Sequence, residues 1–208
     1  PGNLEFILVD DESDDATSQI IQEMSAKDKR FIYETSTNGH TSLHLKKRAL
    51  DAGISIAQNE WLLFTDVDCR VPSRWVAGMA GYFGTENDYV IGHSDVKSGN
   101  TLPNLFQSLD YFLLLIAARG AANLSHPLAC TGQNQAYRKS LYQKVGGFSR
   151  IKNQIQGDDS LFLNLCRQLG KAVVVYADDF QSHVIARQEK TWISLLNQRL
   201  RWSRDANI

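Results

Sequence analysis

Two aspartates, Asp66 and Asp68, close the apolar run Trp61-Leu62-Leu63-Phe64, so a buried strand would end by delivering two carboxylates to the rim of a sheet. Oxygen ligands of that kind suit a hard divalent cation, and a cation there could hold a phosphorylated substrate. The spacing alone decides little, because a chain with 16 aspartates among 208 residues is expected to contain an Asp-x-Asp by chance. The context carries the signal. Asp10-Asp11 ends a second apolar run, and Asp158-Asp159 follows Gly157 and opens a stretch with Leu161, Phe162, Leu165 and Leu169 at helical spacing. Three acidic turns at element boundaries in one small chain point to an active site.

Each acidic turn also has a plainer reading. The acids between positions 10 and 15 could form a solvated loop with a helix cap, and Asp66 and Asp68 could simply terminate a strand. Asp158 or Asp159 could be an N-cap worth about 1 kcal/mol. A helix start favours the charged carboxylate there, two adjacent acids disfavour it, and either could serve as a base. Asp10 and Asp11 are the best placed of the first group to accept hydrogen bonds from a base or a ribose hydroxyl. Gln198, Arg201 and Trp202 stand at i, i+3 and i+4, on one helical face. A guanidinium there could grip phosphate and an indole could stack on a sugar ring, although a packing pair is the more ordinary reading. His183 could ligate a metal, with a hydrogen-bonded histidine as the simpler account.

Short apolar runs alternating with helical patterns must position these groups. Leu4 to Val9 reads as a strand, followed by a helix capped by Ser13 or Asp14 with Ile20, Ile21 and Met24 on its inner face. Arg30 to Glu34 reads as a strand, Thr41 to Gln58 as a helix, and Trp61 to Thr65 as the next strand. Pro72 starts a helix running to Gly81, Asp88 to Val96 is a strand, and Leu102 to Ala122 is a long helix. A Gly/Asn segment at Thr131 to Tyr137 and helices after Asp158 and Gln188 complete a second half. This alternation implies right-handed crossovers and a mostly parallel α/β sheet, with ligands beyond the carboxyl ends of the strands.

The chain is long enough for one sizeable core and short for two, so one domain is expected, with halves at about 1–96 and 97–208. A net charge of −1 without a Lys/Arg run excludes the broad basic footprint of a nucleic-acid binder. Three separated cysteines argue against a disulfide framework or zinc knuckle and for reduced cytosolic thiols. The apolar run Tyr111 to Ala118 is shorter than the ~20 residues a spanning helix needs, which favours a core helix over one facing lipid.

The pieces, in this order, resemble the family 2 glycosyltransferases with the GT-A fold, a Rossmann-like sheet flanked by helices. Phe6-Ile7-Leu8-Val9-Asp10-Asp11 is similar to the family's first acidic loop, and Lys46-Lys47-Arg48-Ala49-Leu50-Asp51-Ala52-Gly53 to its Lys-x-x-Ala-Leu-Asn-x-Gly helix, with Asp51 in place of Asn. Thr65-Asp66-Val67-Asp68 resembles the metal-binding strand end. Gly132-Gln133-Asn134-Gln135 with Val145-Gly146-Gly147-Phe148 resembles the acceptor-side segment, Gly157-Asp158-Asp159 the Gly-Glu-Asp motif, and Gln198-Arg199-Leu200-Arg201-Trp202 the Gln-x-x-Arg-Trp motif.

The resemblance implies an inverting transfer of sugar from a nucleotide diphosphate donor, a UDP-sugar by family preference, to a carbohydrate or lipid-linked acceptor. It implies Asp159 as base with Asp158 beside it, and Mg²⁺ or Mn²⁺ on Asp68 and Asp66. Asp10, Asp11, Lys46, Asp66, Gln198 and Arg201 would hold the donor, and Trp202 and Asn134 the acceptor. It further implies cell-envelope polysaccharide or glycolipid synthesis, in the cytoplasm or at the inner face of the cytoplasmic membrane. Family members open with one more strand and continue past Gln-x-x-Arg-Trp, so the chain reads as an internal fragment whose isolated activity is expected to be weak or absent. Two alternatives remain: a haloacid-dehalogenase-like phosphohydrolase with Asp66 as nucleophile, and a non-catalytic sugar- or nucleotide-binding module.

Overall fold

The computed structural model describes residues 4–97, 99–155 and 157–203; the turn expected at Pro1-Gly2-Asn3 lies outside them. Strand β1 (Phe6–Asp10) is followed by α1 (Thr17–Lys27), β2 (Phe31–Thr35), α2 (Leu45–Ile56) and β3 (Trp61–Phe64). Next come α3 (Trp75–Ala80), β4 (Tyr89–Gly92), β5 (Ser94–Val96) and α4 (Leu102–Asn123). Then follow β6 (Gln135–Arg138), α5 (Lys139–Val145), α6 (Ser160–Gln168), β7 (Val174–Ala177), β8 (Val184–Ala186) and α7 (Trp192–Ser203). The expected α/β alternation is present, and among the described residues three of the five strand pairings are parallel.

The strands form three sheets: β1-β2, then β3-β6-β4-β7, then β5-β8. Strand β6 was not expected. It emerges from the Gly/Asn segment and pairs antiparallel with both β3 and β4, because the main chain after α4 returns along β3. Strand β7 also lay outside the sequence reading. The single strand expected from Asp88 to Val96 is two strands broken at His93. Its physical cause is Asn134, whose amide carbon would lie 2.3 Å from a Cβ on Gly92, so no side chain fits there and the chain turns away to pair β5 with β8.

One apolar cluster binds both halves of the chain: Leu43, Ile54 and Leu62 pack with Tyr137, Phe148 and Phe162. Helix α2 seats on β1 through Gly53, where a Cβ would come within 3.0 Å of the Val9 side chain. Helix α1 starts later than expected, and its first turn is held by Asp15, whose Oδ1 accepts from the Thr17 amide at 2.9 Å, instead of by Ser13 or Asp14. Only Ile21 of its expected inner face is buried, since a two-stranded sheet offers too little surface to cover Ile20 and Met24.

Helix α4 departs most from expectation. It buries one stripe, including Asn104, Gln107, Tyr111 and Leu115, and is not a buried core helix. Leu105, Phe106, Leu109, Phe112 and Leu113 are each at least half exposed. At 22 residues it is also long and apolar enough to cross a membrane, which the eight-residue run alone did not indicate.

Candidate active site

A strand's end, a helix's start and a second helix's start meet at one ammonium group. Lys46, in the first turn of α2, places Nζ 2.8 Å from Asp66 Oδ1 just past β3, and 3.0 Å from Asp158 Oδ2 just before α6. Helices in such crossovers run opposite to their strands, so the start of α2 comes to the carboxyl ends where Asp66 lies. Burial by itself would lower the Lys46 pKa, but Asp158 and then Asp66 outweigh it and raise the group above its usual range. Two acidic turns separated by about ninety residues are thus joined.

Gly132 forms the floor. A Cβ on it would lie 2.9 Å from Lys46 Nζ and 3.0 Å from Asp158 Oδ2, so only glycine allows the backbone this close to the charges. Its amide points to Asp159 Oδ2 at 3.4 Å. Asp159 Oδ1 accepts from the Ser160 amide at 2.6 Å, so Asp159 does cap α6. Capping and base chemistry coexist: burial, and next the Asp158 charge, push the Asp159 carboxyl up to about 6, against the lowering effect of the two amides and Lys46. Of the two opposing effects foreseen at this position, like charge prevails, with burial, which was not foreseen, as the larger cause. Asp159 is then a carboxylate at neutral pH with a raised proton affinity, the profile of a general base.

The residues around Asp66 fit a hard divalent cation. Ligand atoms of Asp66, Asp68 and Cys69 lie within 4.8 Å of one another. Burial first, and then the charges of Asp66 and Asp68, push the Cys69 thiol up to about 11, so the oxygen donors are the ones available at neutral pH. Two surface cavities, of about 180 and 460 Å³, are lined by none of these acids, so charge chemistry marks the site better than concavity does.

Other expected residues fall elsewhere. Asp10 and Asp11 stand at the end of β1, Asp10 buried with Oδ1 unpartnered and Asp11 exposed, and among the described residues no ion pair joins either to Lys46, Asp66 or Asp158. Asn134 is corrected: it is 0% exposed and cannot meet an acceptor. Its amide accepts from Trp75 Nε1 at 3.0 Å and donates to the His93 and Ser182 carbonyls at 2.6 and 2.7 Å, stapling α3 to the link between β4 and β5 and to the turn before β8. Gln198 does not stand open, since its amide bonds Gln107 and Glu189 within the α4–α7 contact. Trp202 leans toward Tyr111, with ring centroids 6.1 Å apart, and Arg201 is exposed. Arg199, not Arg201, is the arginine tied into the packing: it pairs with Asp110 and lies 4.2 Å over the Trp202 ring.

Three positioning residues escaped the sequence reading. Lys47 is buried and donates to the Gln154 and Ile155 carbonyls, fixing the approach to Asp158. The signal was present, in that consecutive lysines on a helix start cannot both face the same way. Tyr111 on α4 donates its hydroxyl proton to Gln133 Oε1 at 2.8 Å and meets the Thr131 hydroxyl at 3.2 Å, holding the loop that contains Gly132. Gly132 itself had been read only as part of a motif.

Known proteins bear on this arrangement. The chain is 28% identical over 211 residues to the probable glycosyltransferase YdaM of Bacillus subtilis (strain 168), covering 97% of this chain and 47% of the relative. It thus spans about half the length of the curated relative it matches. In fold it is similar to the mannosyltransferase PcManGT from Pyrobaculum calidifontis, solved in complex with GDP-Man and Mn²⁺ (TM-score 0.68, 19% identity, 96% of this chain and 52% of that one). It is also similar to mannosyl-3-phosphoglycerate synthase from Rubrobacter xylanophilus (TM-score 0.57, 14% identity, 96% and 61%). These likenesses identify a GT-A-like fold. The profile described as Glycosyl transferase family 2 matches residues 1–146, and the chain belongs to that family.

Proposed function

We propose that this chain is the donor-binding and catalytic part of an inverting glycosyltransferase that moves a sugar from a nucleoside diphosphate to an acceptor hydroxyl. The observation that carries the reading is the convergence of Asp66, Lys46 and Asp158 on one point with Asp159 alongside. Asp159 accepts the proton of the attacking hydroxyl, assistance of typically about 10²–10⁴-fold. Inversion needs one displacement and no covalent sugar on the protein. Asp66 and Asp68 would hold Mg²⁺ or Mn²⁺, which when bound neutralises the departing diphosphate. Lys46 holds Asp66 and Asp158 at a fixed separation, and Gly132 keeps that floor open. Asp10 and Asp11 would meet the nucleoside, with Arg201 on the donor side and Trp202 on the acceptor. A UDP-sugar is the donor we propose; the Pyrobaculum protein was solved with GDP-Man, so both nucleotides belong in the test.

We further propose that α4 rests on a lipid surface, in keeping with a lipid-linked acceptor and work in polysaccharide or glycolipid synthesis at the inner face of the cytoplasmic membrane. Phe106, Phe112 and Leu113 face outward, while Asn104, Gln107 and Tyr111 hold the opposite stripe to the protein by hydrogen bonds. A helix held by such polar anchors would lie in the membrane plane and not span it.

The full-length enzyme, screened against UDP- and GDP-sugars with and without Mn²⁺, tests the reading. Asp159→Asn is expected to abolish transfer while leaving donor affinity within a few-fold. Surviving transfer would dismiss the base, and donor binding with no turnover by the intact wild type would favour a recognition module.

A further inference from the structure

A second constellation of ligating atoms lies on the small β5-β8 sheet, away from the acids described above. The parallel register pairs Ser94 with Val184, which sets His93 beside His183 one residue earlier. Ser94 and Val184 are buried, so by strand alternation His93, Asp95 and His183 share the opposite face. His93 Nε2 lies 3.2 Å from Asp95 Oδ1, and His183 Nδ1 lies 3.3 Å from Asp95 Oδ2. The two imidazole rings are 4.4 Å apart at 35°, and ligand atoms of all three residues lie within 4.8 Å of one another.

We propose that His93, Asp95 and His183 form a binding site for a divalent transition ion of the zinc type, tying β5 to β8. Ligands placed tetrahedrally at about 2.0–2.1 Å from such an ion are themselves about 3.3 Å apart; the two nitrogen–oxygen separations, one to each Asp95 oxygen, match that spacing, and one atom from each of the three residues falls within 4.8 Å of the others. Nitrogen donors from two histidines select zinc-like ions over magnesium. The other ring nitrogen of His93 meets the Tyr176 hydroxyl at 2.8 Å, the outer hydrogen bond that fixes a ligating imidazole's tautomer and orientation. Both imidazoles are shielded, with side chains 13% and 18% exposed, while Asp95 is 52% exposed, so the site is lined on one side and open to water as fourth ligand on the other.

The site is separate from Asp66 and Asp68. The ligand atoms of His93, Asp95 and His183 form one group and those of Asp66, Asp68 and Cys69 another, with no residue in common.

The test is Zn²⁺ titration of the 208-residue chain after chelator dialysis, by calorimetry and thermal unfolding, with Co²⁺ absorption to report ligand geometry. One equivalent is expected to bind with a rise in Tm and a tetrahedral Co²⁺ spectrum. Asp95→Asn and His183→Ala should each weaken binding more than the ~10–100-fold typical of outer-shell changes, and Tyr176→Phe by about that amount. The double variant Asp66→Asn/Asp68→Asn should keep the site intact. Absence of binding to the wild type at 100 µM Zn²⁺, or binding lost with Asp66 and Asp68 but kept in Asp95→Asn, would overturn the proposal.

Discussion

Replacing Lys46 with methionine removes one charge from the centre of the acidic cluster and keeps the side chain's bulk. The ammonium lies 2.8 Å from Asp66 and 3.0 Å from Asp158. At an effective dielectric of about 20, each contact is worth roughly 5–6 kcal/mol gross. Most of that is cancelled. The Lys46 side chain is 44% exposed, so water screens it, and dehydrating the pair opposes the attraction. Asp158 is only 7% exposed, however, and its stranded charge would not be rehydrated without movement. The net loss is therefore set at about 1–3 kcal/mol, above an ordinary surface pair and below a fully buried one. For a chain of 208 residues this lowers Tm by about 2–12 °C. The sign with pH follows from the raised Lys46 pKa: its contribution is complete below the ordinary lysine value of 10.5 and fades only as pH rises beyond it. Differential scanning fluorimetry at pH 7.5 and at a pH about one unit above 10.5 reads both effects. A second readout is catalytic, because Lys46 also lowers the Asp159 pKa, and losing it should move the acid limb of the full-length enzyme's pH–rate profile to higher pH. A variant as stable as the parent at pH 7.5, with an unmoved acid limb, would refute the claim that this ammonium balances the cluster.

Three further outcomes are expected. In the parent enzyme the rate should fall about tenfold per pH unit below about 6, where Asp159 takes up its proton, as a kcat profile at saturating donor would record. Asn134→Ala should destabilise by about 3 kcal/mol or more in urea unfolding, since it strands the Trp75 ring N–H and the His93 and Ser182 carbonyls inside the protein. Gly132→Ala should cut transfer at least about tenfold yet shift Tm by only a few degrees. Its Cβ meets flexible charged side-chain ends, not backbone, and displaces the groups on which catalysis depends.

The chain's acids were legible because each follows a short apolar run or opens a helical one, and local patterning reports such boundaries directly. What joins them was not. Lys46 reaches acids 20 and 112 residues away in sequence, a pairing that only the crossover of α2 creates. Strand β6 was missed because Gln135, Tyr137 and Arg138 carry polar groups, yet Gln135 and Tyr137 are buried where the strand lies between β3 and β4. Asn134 was assigned to the acceptor because its segment resembles the family's acceptor side, and a motif does not report the three buried partners that hold it. The outward face of α4 was misjudged for the opposite reason. Composition reports how apolar a helix is, and neighbours alone determine how much of it is covered.

The separation of β1-β2 from the main sheet has a consequence for the backbone itself. Phe6 donates its amide to Arg30, so along β1 the amides of Ile7 and Val9 alternate toward the flank that β2 does not occupy. Strand β3 is likewise paired on one side, to β6. Deuterium should enter these flanks, which among the described residues carry no strand pairing, before it enters β4, which is bonded on both sides.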